Sequence, residues 1–453
     1  MVVLTFFAMR QVDPKEMGEP DRAVGMRRLH DYLPAAWIDN AIHSTNKASL
    51  RRRRLPAEKV VFLVIALALY RQYSASEVVD ELDIALPKMD GAFVSKSAIT
   101  QARQRVGAAP VESLFKESAK NWITESGDQA KFKGFSLFAI DGTTLRTPDS
   151  RCNRDHFGSQ LSRSGRIGSY PQVRGVTLSS IQTHLICDAE FGPYGINEML
   201  TARRLIPRIP HHSITVFDKG FMSAQILCSL RASGERRHFI IPAKSNTRWT
   251  RVAGTDDDQI VSLTVSQQAR RANSSLPDSW QARAIRTTDA KGRRRILLTS
   301  LTDCRRFKPS EIEAVYRRRW QVETSYMELK NTMLGVALTL RSETVECVYQ
   351  EIWGALIAYN LIRIGMTRIA QKSTLDPLRL SFVRSFHAMQ LTFLGINGAG
   401  VIDDAPMELI RLGERIAQLP HQSRPGRVCP RTVKARPFRY PVKKLHTASP
   451  PKW

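Results

Sequence analysis

Between residues 25 and 125 apolar positions recur at helical spacing, and from about residue 134 they change to short blocks rich in β-formers. In the first part the pattern predicts a helix after Arg51 to Arg54, another around Ser76 to Leu82, and a third from Ser97 to Val106. Val60 to Tyr70 is an apolar run about half as long as the roughly 20 residues that a membrane span requires, so it reads as a buried helix. Beyond residue 134 the blocks FSLFAID, VRGVTLSSIQTH and LICDAEFG read as strands, EMLTARRLI as a helix, and SITVFD as a fourth strand. A helix over Ser223 to Ala232 and a strand HFIIPAK complete the order β-β-β-α-β-α-β, which specifies a mixed sheet covered by helices. From about 246 to 305 the chain is polar with further strand signals, including ARAIRTT and RRRILLTSL joined by DAKG as a hairpin, and reads as an insertion. A helix then follows, with Ser310 as its expected N-cap ahead of Glu311, and Val345 to Ile369 forms a long apolar helix.

Composition narrows the partners. The 453 residues carry a formal charge of +26, which favours polyanions because each lysine or arginine set on a phosphate releases a condensed counterion. Charge alone does not separate DNA from RNA, ribosome or membrane surface. The six cysteines form no CxxC pair, which points to a reducing compartment and away from zinc or disulfide frameworks. The start, MVVLTFFAMR, has no basic residue ahead of its apolar stretch, so no signal peptide is expected, and Met9, Met17 and Met26 are alternative starts. No acidic residue follows Glu414, so the basic tail is expected to be extended until it meets nucleic acid or a partner subunit.

The candidate chemistry lies in YRRRWQVETSYMELK, residues 316 to 330. On one helix, Tyr316, Arg319, Glu323 and Lys330 fall within an arc of roughly 60°. A carboxylate among phosphate donors implies a metal ion, although the same spacing also suits a solvated charged face. Distant carboxylates decide between these readings. Asp141 ends the first strand in FAIDGTTLRTPD and Asp218 ends the fourth in TVFDKGFMS, each followed within two residues by glycine. Adjacent parallel strands would set the two aspartates side by side under Glu323. Three such carboxylates can hold two Mg²⁺ about 3.5 to 4 Å apart, an arrangement suited to in-line phosphodiester cleavage or transfer.

These residues carry a family resemblance. The chain resembles the DDE transposases of bacterial insertion sequences, in the IS-four family, whose signature is Tyr, two residues, Arg, three residues, Glu, six residues, Lys. Tyr316, Arg319, Glu323 and Lys330 match every spacing, and AIDGTTLRTPD, DKGF and RRRRLPAEKVVFLVIALALYR extend the likeness over most of the chain. The resemblance implies an α/β fold: an RNase H-like catalytic core with a β-rich insertion, preceded by an all-helical N-terminal DNA-binding domain and followed by a helical C-terminal region. The corresponding boundaries are 1–125 for the N-terminal region, 126–245 and 306–372 for the two parts of the core, 246–305 for the insertion, and 373–453 for the C-terminal region and tail. It also implies that Asp141, Asp218 and Glu323 ligate Mg²⁺ (two ions, with Mn²⁺ able to substitute), and that Tyr316, Arg319 and Lys330 hold DNA phosphate. The expected partners are double-stranded DNA, at the terminal inverted repeats and the target, and a second copy in a synaptic homodimer, in a bacterial, nucleoid-associated cytoplasmic setting without membrane. The expected reaction is 3′-end hydrolysis, hairpin formation and opening, and strand transfer.

Several residues keep competing readings. Gln101, Arg103 and Arg105 in SKSAITQARQRVG suit either a recognition helix in a DNA groove or an ordinary surface helix. Arg51, Arg52, Arg53 and Arg54 suit either a phosphate grip or a solvated turn. Glu328 is rotated about 140° from Glu323 and points away. Asp256, Asp257 and Asp258 read as an exposed turn, Asp155 and His156 as a polar loop, and Asp149 and Glu198, in or near the family-like segments, either as residues standing behind the site or, the favoured reading, as structural hydrogen-bonding residues. Trp320 reads as core, and Trp249 or Trp280 are candidates to stack on a displaced base. Two rival functions remain: a transposase-derived DNA-binding regulator without catalysis, which intact Asp141, Asp218 and Glu323 oppose, and an RNase H-like structure-selective nuclease, which would not need Tyr316, Arg319 and Lys330 at this spacing.

Overall fold

A computed structural model describes residues 30–48, 54–82, 84, 94–127, 131–161, 168–288, 292, 294–335 and 339–393. Arg51, Arg52, Arg53, the alternative starts, most of the DAKG turn and the basic tail lie outside them. The first part is helical: α1 (Ala35–Ser44), α2 (Ala57–Leu69), α3 (Ala75–Glu81), α4 (Lys96–Val106) and α5 (Ala109–Ser126). Helix α2 is buried on nearly every side, as its unbroken apolar sequence requires.

Among the described residues, the sheet that follows has nine strands. In chain order these are β1 (Ser136–Arg146), β2 (Gln172–Ser180), β3 (Ile186–Pro193), β4 (Ser213–Phe217), β5 (Arg237–Pro242), β6 (Thr250–Gly254), β7 (Asp258–Thr264), β8 (Ser279–Thr288) and β9 (Arg294–Thr299). Their spatial order is β3-β2-β1-β4-β5-β9-β8-β7-β6. Strands β1, β4 and β5 run parallel, and all the other pairings are antiparallel. Short helices α6 (Arg151–Phe157), α7 (Glu198–Leu205), α8 (Ala224–Ala232) and α9 (Gln267–Ala272) punctuate the strands. The insertion is therefore no separate body, since β9 pairs with β5 and carries the sheet onward through β8, β7 and β6.

Alternation along β1 feeds two cores. Phe138 and Ile140 face the side covered by α7 and α8, while Leu137 and Ala139 face the helix that carries the motif. That region comprises α10 (Pro309–Arg317), α11 (Trp320–Met327) and a π-helical turn (Glu328–Met333). It is followed by α12 (Val345–Lys372) and α13 (Phe382–Phe393). Helix α12 shares one apolar core with the N-terminal helices. It meets α2 so closely that a Cβ on Gly354 would lie 2.5 Å from Val64 Cγ1. It also docks on the sheet edge, where Asn360 accepts from Ile186 N and donates to Ile186 O, each at 2.8 Å.

Three local expectations change. The N-cap of α10 is Lys308 with Pro309 in the first turn, and Glu311 accepts from Lys308 N at 2.9 Å; Ser310 lies inside the helix because proline at the first position already suits it. Strand β1 does not end at Asp141, because pairing with β2 continues to Arg146 opposite Gln172. The motif is not one regular helix. Tightened turns join Tyr316 O to Arg319 N and Arg319 O to Val322 N, each at 3.0 Å, and the π turn lies beyond Met327.

Candidate active site

Register brings the first two carboxylates together. The parallel ladder of β1 and β4 runs from Ser136 opposite Ser213 to Ile140 opposite Phe217, so the next residues are Asp141, still within β1, and Asp218, the first residue past β4. The Asp141 side chain accepts from Gly142 N at 2.8 Å, and the Asp218 side chain accepts from Gly220 N at 3.1 Å in the short turn that follows β4. Burial pushes the Asp141 carboxyl up to about 6, helped by the charges of Asp218 and Glu198 and opposed by the Gly142 N–H and Arg319.

The motif helix stands over this pair. The Arg319 guanidinium donates to Glu323 Oε1 at 2.8 Å and lies 3.6 Å from Asp141 Oδ2, so it bridges the two carboxylates. Burial works against its charge, but Tyr316, Glu323 and Asp141 raise its pKa above the ordinary arginine value. Tyr316 is buried, burial raises its phenol, and Arg295 covers its ring at 4.6 Å. Lys330 lies on the π turn, 5.6 Å from the centre of the Tyr326 ring.

Tyr326 escaped the sequence reasoning. Its hydroxyl donates to Asp141 O at 2.8 Å and lies 2.8 Å from Thr177 Oγ1, so it ties α11 to both β1 and β2. Its place three residues after Glu323 was the available signal, because i and i+3 share a helix face.

Other residues are placed differently from their sequence readings. Trp320 is not core but 65% exposed, because the tightened turn after Tyr316 rephases the helix before α11 begins. Glu198, read as a structural hydrogen-bonding residue, makes no hydrogen bond or ion pair among the described residues and lies against Gly142 instead. Arg103 donates to Gln350 Oε1 at 2.9 Å and Ser342 Oγ at 3.0 Å, and Arg105 to Leu55 O at 2.7 Å, so these guanidiniums brace α4 within the protein. Gln101 on the same helix is exposed, and Arg54 is half-buried.

Glu328 turns away from Glu323 into a buried pair with Arg363. Asp256, Asp257 and Asp258 each face a different arginine, Arg251, Arg286 and Arg283. Asp149 pairs with Arg154, Asp155 with Arg151 at 3.7 Å, and His156 Nε2 meets Tyr349 Oη at 3.3 Å. Trp280 is buried and Trp249 half-buried; both line an open groove of about 470 Å³ with Met222 and Arg248.

Among the described residues no three His, Cys, Asp or Glu side chains converge as a ready metal site. The donors nevertheless fit a hard divalent cation. They are carboxylate oxygens: Asp141 in β1, Asp218 just past the end of β4, and Glu323 on α11, tied to Asp141 through Arg319. No helix among the described residues is long and apolar enough to cross a membrane.

Residues 23–116 match the family described as Insertion element 4 transposase N-terminal, and residues 133–361 match the family described as Transposase DDE domain. A protein of Escherichia coli (strain K12), Transposase InsG for insertion sequence element IS4, is 36% identical over 418 residues, covering 91% of this chain and 93% of that one. Putative transposase InsZ of the same organism is 37% identical over 217 residues, covering 48% of this chain and 71% of that one. Among solved structures, the cryo-EM structure of the piggyBac transposase synaptic complex with hairpin DNA aligns with a TM-score of 0.42 and 11% identity, over 90% of this chain and 87% of that one.

Proposed function

The chain belongs to the IS4 family of DDE transposases, and from that premise we propose that Asp141, Asp218 and Glu323 form the catalytic centre that cleaves the ends of an insertion sequence and joins them to target DNA. The observation that carries the reading is the register of β1 on β4, which sets Asp141 beside Asp218 beneath Arg319 and Glu323. The strand order β3-β2-β1-β4-β5, with β2 antiparallel to β1, supports an RNase H-like core over residues 126–245 and 306–372, interrupted by the insertion at 246–305. Asp141, Asp218 and Glu323 would hold Mg²⁺, two ions replaceable by Mn²⁺. Bound there, the ions supply an activated oxygen nucleophile and stabilise the leaving oxygen.

The remaining work falls to the chain. Arg319 presents a planar fork suited to a phosphate, and Lys330 a compact charge. Tyr316, buried beneath Arg295, limits where the phosphate can approach. Tyr326 holds the Asp141 backbone against α11, so the two sides of the site keep their spacing. On the family's pattern the protein acts on double-stranded DNA as a synaptic homodimer, with a hairpin formed on each end.

Two results test this reading. Arg319→Ala and Lys330→Ala are expected to slow single-turnover cleavage of a labelled end duplex roughly 10- to 100-fold, the loss of one charge-assisted contact, with end binding kept. Normal cutting and joining by both variants would refute the phosphate role. Denaturing gels of the wild-type reaction should show a hairpin of twice the strand length, and blunt breaks with no hairpin at any time would exclude that route.

A further inference from the structure

We propose that Arg231, Arg236 and Arg306, gathered around Phe135 at the start of β1, grip the DNA backbone about six base pairs from the phosphate that reacts at Asp141. The inference rests on the reading of the carboxylate centre above and adds a phosphate-binding surface outside it.

Position is the first argument. Arg231 lies in the last turn of α8, Arg236 in the turn that leads into β5, and Arg306 in the turn ahead of α10. The buried ring of Phe135, just before β1, is where they meet. The Arg236 and Arg306 guanidiniums lie 5.1 and 5.6 Å from its centre, and the His238 ring meets it edge-on at 5.1 Å. By alternation along β1, Phe135 shares the sheet face of Leu137, Ala139 and Asp141. The six residues of extended chain from Phe135 to Asp141 span roughly 20 Å, which a duplex covers in about six base pairs. The cluster is thus too distant to touch the reacting phosphate, yet within reach of the same stretch of DNA.

Charge is the second argument. All three arginines are exposed, and none forms an ion pair with a carboxylate among the described residues. The acids around them are engaged elsewhere: Glu311 with Lys133 at 2.6 Å, Asp303 with the Arg305 and Arg306 N–H groups at 3.0 Å each, and Glu235 with His212 at 3.8 Å. Arg306 gives one donor to Lys133 O at 3.0 Å. Stacking on a ring uses the face of a guanidinium and leaves its in-plane N–H groups directed outward. His238 registers the field of the cluster. Burial first, then the charges of Arg231, Arg236 and Arg306, lower its pKa to about 4 against a hydrogen bond with Ser300, so it stays neutral. Three like charges held together without a carboxylate are the arrangement that phosphate oxygens relieve, and a DNA backbone supplies them in series.

The test is the salt dependence of DNA binding by the full-length chain, followed by fluorescence anisotropy on two DNAs: a duplex of the element's end, and an unrelated duplex offered to protein that already holds precleaved ends. Arg231→Gln combined with Arg236→Gln, which leaves the Arg306 contacts in place, is expected to bind at least about 10-fold more weakly at about 0.1 M salt and to flatten the slope of log affinity against log salt by about 1 to 2. Arg231→Lys combined with Arg236→Lys keeps the charge and is expected to keep the slope; an equal loss in this pair overturns the proposal. Weakening on the end duplex assigns the grip to the element's own DNA, and weakening confined to the unrelated duplex assigns it to the target. Unchanged slopes on both DNAs overturn the proposal, and cleavage by wild type in Mg²⁺, run alongside, then leaves the catalytic reading standing. Should the glutamine pair prove unstable, hydroxyl-radical footprints of wild type decide the matter: protection about six base pairs from the reacting phosphate is expected, and protection confined to nearer positions refutes the geometry.

Discussion

Alanine at Asp141, Asp218 or Glu323 is expected to reduce end cleavage at least about a thousandfold while leaving binding to the terminal duplex within a few-fold of wild type. The size follows from what is lost: a ligand that fixes the cation is worth several kcal/mol of charge stabilisation at the reacting phosphate, and no neighbour can replace it. Asp141 and Asp218 come from adjacent strands whose ladder ends just before them, so neither has a second carboxylate beside it on its own strand. Glu323 lies on a different element, held by Arg319. Binding should survive because none of the three contributes to the packed cores of the fold. Parallel gel-shift and cleavage assays in Mg²⁺ measure both quantities, and cleavage retained by any one variant removes that residue from the ligand set.

The second large effect is on stability. Glu328→Ala is expected to cost about 3–5 kcal/mol in the free energy of unfolding, because it strands the Arg363 guanidinium in the interior. Arg363 is 2% exposed and is held by Glu328, by Tyr359 Oη at 3.2 Å and by His184 Nδ1 at 2.8 Å. Since Arg363 donates to Nδ1, the proton of His184 sits on Nε2 and is given to Gln321 Oε1 at 3.0 Å; burial lowers the histidine's pKa and keeps it neutral. The one negative charge in the cluster is thus Glu328. Burial alone would raise its pKa, but the charge and hydrogen bond of Arg363 outweigh burial and hold it at about 2, below the ordinary 4.5. A carboxyl depressed in the folded state stabilises fully above its unfolded value, so this contribution should be complete above about pH 4.5 and disappear as pH falls towards 2. Chemical denaturation of wild type and Glu328→Ala across that range measures it. The double variant Glu328→Ala with Arg363→Met should be more stable than Glu328→Ala alone, because the buried charge is gone; equal or lower stability would show that Arg363 is not the stranded group.

Glu328 also joins stability to the site, since it opens the π turn between Glu323 and Lys330. The wide turn sets Leu329 and Met333 into the helical core while Glu328 reaches Arg363. Local periodicity cannot foresee such a turn. It predicts only that Glu328 leaves the face of Glu323, which it does.

The same division runs through the rest of the molecule. Strands and helices were legible wherever their pattern was local: the order from β1 to β5, the apolar helices α2 and α12, and the hairpin of β8 on β9 all follow from periodicity, branching and turn chemistry. The spacing of Tyr316, Arg319, Glu323 and Lys330 is likewise a property of a short segment. What a segment cannot encode is the partner it meets from far away. Arg103 suits either a DNA-facing or an ordinary surface helix by its sequence, and only the fold shows Gln350, 247 positions on, taking its guanidinium. Trp320 looks like core until a tightened turn rotates it into solvent. Tyr326 carries no motif at all; the fold brings its hydroxyl to the carbonyl of Asp141, 185 positions away.

By itself, then, the sequence determined the family chemistry and the elements that bear it, because both rest on residue types at fixed short spacings. Only the tertiary structure decided which side chains share the site with Asp141 and Asp218, that the insertion extends the same sheet, and that the N-terminal helices and α12 form one core. Those outcomes depend on strand register and long-range packing, where the energy lies in contacts between segments and not within any one of them.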